Sequence, residues 1–188
     1  MQNKLLIAAL GTVLTVPAFA ADSYTIDPRH TLPTYEINHF GWSTQRGRFE
    51  KVTGKITLDR AAKSGTVDLS IDAASVSTGV GKLDEHLRSD EFFNVAKYPS
   101  MTFKSKQITF NGDNPAAVNG DFTLLGVTKP LTLTVMAFQC APNPFLKKEA
   151  CGADAVAVIK RSDFGMKTLL PGLSDEVRLL INVEAIKD

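Results

Sequence analysis

The feature that most constrains this chain is a two-residue rhythm of apolar side chains. From Pro33, the odd positions Pro33, Tyr35, Ile37 and His39 share one face, while Thr34, Glu36 and Asn38 share the other. "GKITLD" sets Ile56 and Leu58 against Lys55, Thr57 and Asp59, and "TVDLSID" sets Val67, Leu69 and Ile71 against polar neighbours. The rhythm recurs at Met101/Phe103, Ile108/Phe110, Val118/Phe122/Leu124 and Leu131/Leu133/Val135/Ala137, and again from Val177 to Ala185. A strict period of two is the signature of half-buried strands. Turn words such as "RAAKSG", "NGDNP", "GVTKP" and "LLPGLSD" separate the runs. About eight strands with tight connections predict an all-β antiparallel barrel or sandwich.

One stretch breaks the rhythm: "GKLDEHLRSDEFFNVAKYP". Leu83, Leu87 and then Phe92 or Phe93 fall on one side at helical spacing, which predicts a short helical insertion near residues 82–94. Ser89 is placed to cap a second short turn, and Pro99 ends the segment. The pair Asp84 and Glu85 is expected on a solvated helix start.

Residues 1–20, "MQNKLLIAALGTVLTVPAFA", have one lysine, an apolar run from Leu5 to Val16 and an Ala18-x-Ala20 ending. This is expected to be a secretory signal cleaved after Ala20, too short in its apolar run to anchor in a membrane. Residues 21–188 then form one domain in the periplasm or outside the cell. Of 21 basic and 20 acidic residues, Lys4 is the only charge in the leader, so the remaining chain is formally neutral. Neutrality gives no electrostatic footprint for nucleic acid and little attraction to anionic membrane. Cys140 and Cys151 are the only cysteines, and export predicts a disulfide between them.

Positive signals for catalysis are missing. His30, His39 and His86 lack the HxH or HxxxH spacing that sets two metal ligands on one element, so a metal site would depend wholly on the fold. "SDFG" lacks every other part of a kinase, "GVGK" fails as a phosphate loop, and there is no GxSxG elbow. What stands out is apolar: Phe40, Trp42, Phe49, Phe92, Phe93, Tyr98, Phe103 and Phe164 gather near strand ends and turns. They fill a solid core or line a barrel wide enough for one small ligand.

Five separated words, in order, carry a resemblance: "YTIDPRHT", "HFGWSTQRGRFEKVTGKITLD", "HLRSDEFFNVAKYPSMTFKS", "GDFTLLGVTKPLTL" and "IKRSDFGM". They resemble the signature blocks of the YceI-like bacterial lipocalins and cover nearly all of residues 21–188. The resemblance implies an eight-stranded antiparallel lipocalin-like barrel with a helical insertion, enclosing an apolar tunnel for a polyisoprenoid lipid such as a polyprenyl quinone (ubiquinone), phenol or phosphate. It implies an exported carrier or sequestering protein with no catalysis, no metal and no cofactor besides the bound lipid. Tunnel residues are expected along the first hairpin at Tyr35, Ile37, His39, Phe40, Trp42 and Phe49. More are expected in the helical insertion at His86, Leu87, Phe92 and Phe93, and beyond it at Tyr98, Phe103, Phe122 and Phe164. His30, His39, Arg48 and His86 are the head-group candidates. The Cys140–Cys151 loop departs from many family members. Pro33 and Tyr35 replace the family's usual valine and phenylalanine, which implies a narrower or more polar wall there. A monomer is favoured, with a dimer left open. Two other readings remain: a metal-dependent periplasmic hydrolase using the histidines, and a solid β-domain acting through protein contacts.

Overall fold

The computed structural model describes residues 21–188; the expected signal and its cleavage point lie outside the described residues. The strands are β1 (Asp22–Ile26), β2 (Thr34–His39), β3 (Ser43–Phe49), β4 (Val52–Asp59), β5 (Ser64–Asp72), β6 (Val76–Ser77), β7 (Ser100–Asn111), β8 (Asn114–Leu124), β9 (Val127–Pro142), β10 (Glu149–Lys160) and β11 (Leu173–Lys187). One helix, α1 (Gly81–Arg88), follows β6. Eight strands close a ring of antiparallel neighbours in the order β1-β4-β5-β7-β8-β9-β10-β11, with β11 returning to β1. Closure leaves that ring without an unpaired edge.

The ring has the eight strands that the rhythm predicts; β2, β3 and β6 lie outside it, and the reason lies in β11. Its C-terminal end pairs with β1 from Ala185 to Lys187, whereas its N-terminal half pairs with β2 from Leu173 to Leu180. β2 continues into β3, and the end of β3 pairs with the two-residue β6. The hairpin β2–β3 thus takes over the wall where β1 stops, and extends it at one end of the barrel.

The word "DPRHT" makes that exchange possible. Asp27, almost fully buried, accepts from the backbone N–H and the Nε of Arg29 at 3.0 and 3.2 Å, and contacts His30 Nδ1 at 2.9 Å. Its own N–H donates to Glu184 O at 2.9 Å. Thr31, with no exposed surface, donates to Glu184 O and accepts from Glu184 N. The Arg29 hydrogen bond leads the contacts that hold the Asp27 carboxyl well below the usual carboxylate range.

Two apolar clusters fill the ring. One, around Tyr24, Ile26, Leu58, Leu69 and Ala185, plugs the end where β1 and β4 meet. The other, including Phe49, Ile71, Met101, Phe103, Phe122 and Leu133, surrounds the opposite half.

The helical insertion is shorter than its sequence suggests. Helix α1 stops at Arg88, where Ser89 turns extended and its hydroxyl donates to His86 O at 2.7 Å. Phe92 and Asn94 then donate N–H to Ser89 O, so residues 89–94 form turns, because the hydroxyl and carbonyl of Ser89 compete for the helical bonds. Nor is Asp84 solvated. It is 8% exposed and accepts from both the N–H and the hydroxyl of Thr78 at 2.7 Å, tying the helix to β6.

Candidate functional site

The half of the barrel roofed by β2–β3 and α1 contains a cavity of about 530 Å³. That lies within the range of small-molecule pockets, about 300–1,000 Å³. Its wall follows from the period of two. Tyr35 and Ile37 on β2, Val177, Leu179 and Ile181 on β11, and Ile71, Met101, Phe122, Leu124 and Ile159 on neighbouring strands all line it. Helix α1 and the turns after it supply Leu83, His86, Leu87, Phe92 and Phe93, and the 166–173 loop supplies Met166, Leu169 and Leu173. Polar side chains are few: Thr34, Gln45, Arg46, His39, Thr78, His86 and Arg161.

Three local devices shape this wall. Tyr35 lies directly across from Gly47, and a Cβ on Gly47 would stand 2.3 Å from the phenol oxygen and 2.5 Å from Cζ. Only glycine lets the ring lie flat over β3 there. Burial, with the Asp84 charge adding to it, pushes the Tyr35 phenol up to about 12. Next, Phe93 meets Phe49 edge-on at 5.4 Å and Phe92 meets His86 edge-on at 5.0 Å, which seats the turn after α1 on the barrel. His86 also pairs with Glu91.

The third device is Arg161, 1% exposed, which opens a short 3-10 turn covering Arg161–Phe164. Its guanidinium donates to Ser174 O, Leu173 O and Thr168 O at 2.8 Å and to Met166 O at 3.2 Å. One side chain thereby satisfies four carbonyls and shapes the 166–174 loop into the cavity wall. Asp175 accepts from the N–H and hydroxyl of Ser162, and these bonds hold its carboxyl below its ordinary range. "SDFG" is therefore a turn: Phe164 is buried edge-on against Phe122 at 5.6 Å, Asp163 is exposed, and Gly165 supplies the left-handed residue at φ 90°.

Nine of the fourteen residues expected to line a tunnel do line the cavity: Tyr35, Ile37, His39, Phe49, His86, Leu87, Phe92, Phe93 and Phe122. Five stand elsewhere. Phe40 and Trp42 sit on the β2–β3 turn, outside the wall and exposed. The Tyr98 ring covers Gly126 in the β8–β9 turn, and Phe103 lies over Gly120 across the strand pair, where either added Cβ would collide with the ring. Phe164 packs behind Phe122.

Of the head-group candidates, His39 and His86 line the cavity. Arg48 does not line it, although its register partner Thr34 and its neighbour two residues before, Arg46, do. It pairs with Glu50 instead. His30 belongs to the Asp27 clamp, so the three histidines do not converge. Among the described residues no cluster of three or more His, Cys, Asp or Glu could hold a metal ion.

Sequence reasoning missed Gln45, Thr78, Val80, Arg161, Met166 and Leu169. The first follows from register once β2 and β3 are paired. The rest sit on loops that no periodicity marks. Val177, Leu179 and Ile181 were visible as an inward face, and their run from the strand that meets β2 was the available signal.

A closed antiparallel eight-strand ring, plugged at one end and hollow and apolar at the other, defines a lipocalin-like ligand-cavity barrel. The chain belongs to the YceI-like family, whose domain model matches residues 24–185. It is 38% identical over 192 residues to the UPF0312 protein of Pseudomonas aeruginosa strain LESB58, covering 100% of this chain and 99% of that one. It is 39% identical over 173 residues to Protein YceI of Escherichia coli O17:K52:H18, covering 90% and 89%. Among solved structures, Burkholderia cenocepacia BcnA superposes with a TM-score of 0.73 at 25% identity, over 85% of this chain and 98% of that one. A polyisoprenoid binding domain from Saccharophagus degradans shares the fold, with a TM-score of 0.63 at 16% identity over 88% and 98%.

Proposed function

We propose that this protein is an exported carrier or sequestering protein that binds a polyisoprenoid lipid in the cavity between β2, β11 and α1. The observation that carries this reading is a hollow of about 530 Å³ whose inner wall is aliphatic and aromatic and whose polar groups are few. A branched, unsaturated, uncharged tail matches that wall; a sugar, nucleotide or peptide would leave its polar groups unpaired. The polyisoprenoid binding domain with the same fold supports this class of ligand. The bridge between Cys140 and Cys151 suits an extracytoplasmic compartment.

The energetics fit a carrier. Each buried CH₂ contributes about 0.8 kcal/mol relative to water, yet a tail arriving from a bilayer leaves an equally apolar medium. Net transfer is then near balance, which permits both loading and delivery, and discrimination falls to cavity length and to polar groups such as His39 and His86 at the head. The wall has the character of a binding surface, with aliphatic and aromatic side chains in the majority.

Native mass spectrometry of gently purified protein tests the reading. One polyprenyl lipid per chain is expected, or stoichiometric uptake of added ubiquinone. An empty protein that also refuses ubiquinone contradicts it. The hydrolase reading finds no support in the separated histidines, and the solid-domain reading conflicts with the hollow.

A further inference from the structure

The rim of this cavity carries apolar side chains that folding does not bury. Val80, Leu83 and Leu169 line the cavity and are also 57%, 40% and 51% exposed. Beside them stand Phe40 and Trp42, 44% and 79% exposed, stacked on each other at 5.3 Å and both meeting the ring of His39 edge-on. These residues come from three separate segments: the β2–β3 turn, the start of α1 and the 166–173 loop.

The backbone adds an independent observation. Phe40 and Gly41 occupy the centre of a hairpin turn with φ of 54° and 75°. Two positive φ values make a turn that asparagine followed by glycine suits best, and a bulky aromatic in the first place is strained. Beyond its own turn the Phe40 ring lies over Gly172, where a Cβ would stand 2.3 Å from it. The same pair of positive φ values recurs at Leu125–Gly126, where the Tyr98 ring covers the turn, whereas Phe40 and Trp42 leave theirs exposed beside the cavity.

We infer that this rim docks on the surface of a lipid bilayer and delivers the tail between membrane and cavity without exposing it to water. The inference rests on the carrier reading: Val80, Leu83 and Leu169 both line the cavity and stand exposed, so the apolar rim is continuous with the wall that would take the tail. Trp42 and Phe40 suit the boundary between headgroups and acyl chains, where one tryptophan edge stays wet. Exposed charges on the same segments are mixed, Lys82 and Lys167 against Glu85, Asp90 and Glu91, so docking depends on apolar insertion and not on anionic lipid.

Trp42 is the only tryptophan of the chain and reports directly. Vesicles of phosphatidylcholine and phosphatidylethanolamine should shift its emission to the blue, and brominated acyl chains should quench it. Raising the salt concentration should change the vesicle-bound fraction by less than about twofold. The variant Phe40→Asn relieves the turn and should fold at least as well, yet lower vesicle partitioning by about tenfold in cosedimentation. Both proteins are also given ubiquinone from detergent micelles and examined by native mass spectrometry. Quinone uptake by both, with vesicle binding weakened in Phe40→Asn alone, supports docking. Quinone uptake with no response of Trp42 to vesicles overturns docking while sparing the carrier reading. Sedimentation showing a dimer that Phe40→Asn dissolves, again without vesicle binding, overturns docking in favour of a second copy on the rim. Refusal of quinone by both proteins overturns the carrier reading and, with it, the docking that rests on it.

Discussion

Single residues set this site by what they omit as much as by what they supply. Gly47 is the clearest case, since the Tyr35 ring occupies the space a side chain would need. Gly47→Ala should destabilise the protein by about 1–3 kcal/mol in urea unfolding and reduce ligand uptake, because the displaced phenol moves into the cavity. Spectrophotometric titration should show a folded-state tyrosine ionising near pH 12 that disappears in Tyr35→Phe. Asp27 carries a buried acid-sensitive contact. Its folded carboxyl ionises below the unfolded value of about 3.9, so its contribution is complete above that pH and is lost as pH falls below it. Denaturation curves should be flat from neutrality to about pH 5 and steepen below about pH 4, and Asp27→Asn should blunt that acid limb. Of these residues, sequence alone marks Tyr35 as inward and Asp84 as polar. Neither the flat ring over Gly47 nor the burial of Asp84 is legible, since both depend on cross-strand register and on a helix meeting β6.

At the scale of elements, the barrel strands were readable and the connections were not. Period two assigns the inward faces of β2, β4, β5 and β11 correctly because each has one wet side. The same pattern hides the division of β11 between two partners, because both halves keep one rhythm while only the clamp of Asp27 and Thr31 marks the change. Aromatics mislead for a related reason. Phe103 and Tyr98 serve to cover glycines, a function that residue type does not separate from lining a cavity. The β9–β10 hairpin lies at the end away from the cavity, with Cys140 facing Cys151 across the strand pair. Replacing both cysteines by serine should lower stability by roughly 3 kcal/mol by the loop-closure relation while leaving lipid uptake unchanged, measured by thermal unfolding and by native mass spectrometry.

For the whole molecule, the division into a plugged half and a hollow half is the arrangement that matters. The plug of Tyr24, Ile26, Leu58, Leu69 and Ala185 gives the chain a core that does not depend on ligand, so the other half can stay open. Filling the hollow should therefore separate stability from function. Leu179→Trp adds volume where space exists, and should leave the unfolding free energy within about 1 kcal/mol while abolishing lipid binding. The most direct test of the hollow as a lipid site is a crystal structure of the protein grown with a polyprenyl quinone. Continuous tail density is expected between β2 and β11, passing Tyr35, Ile37, Leu179 and Ile181, with the ring near His39 and His86. Density for the quinone only on the outer surface, with side chains closed over the cavity, would contradict a lipid-filled interior.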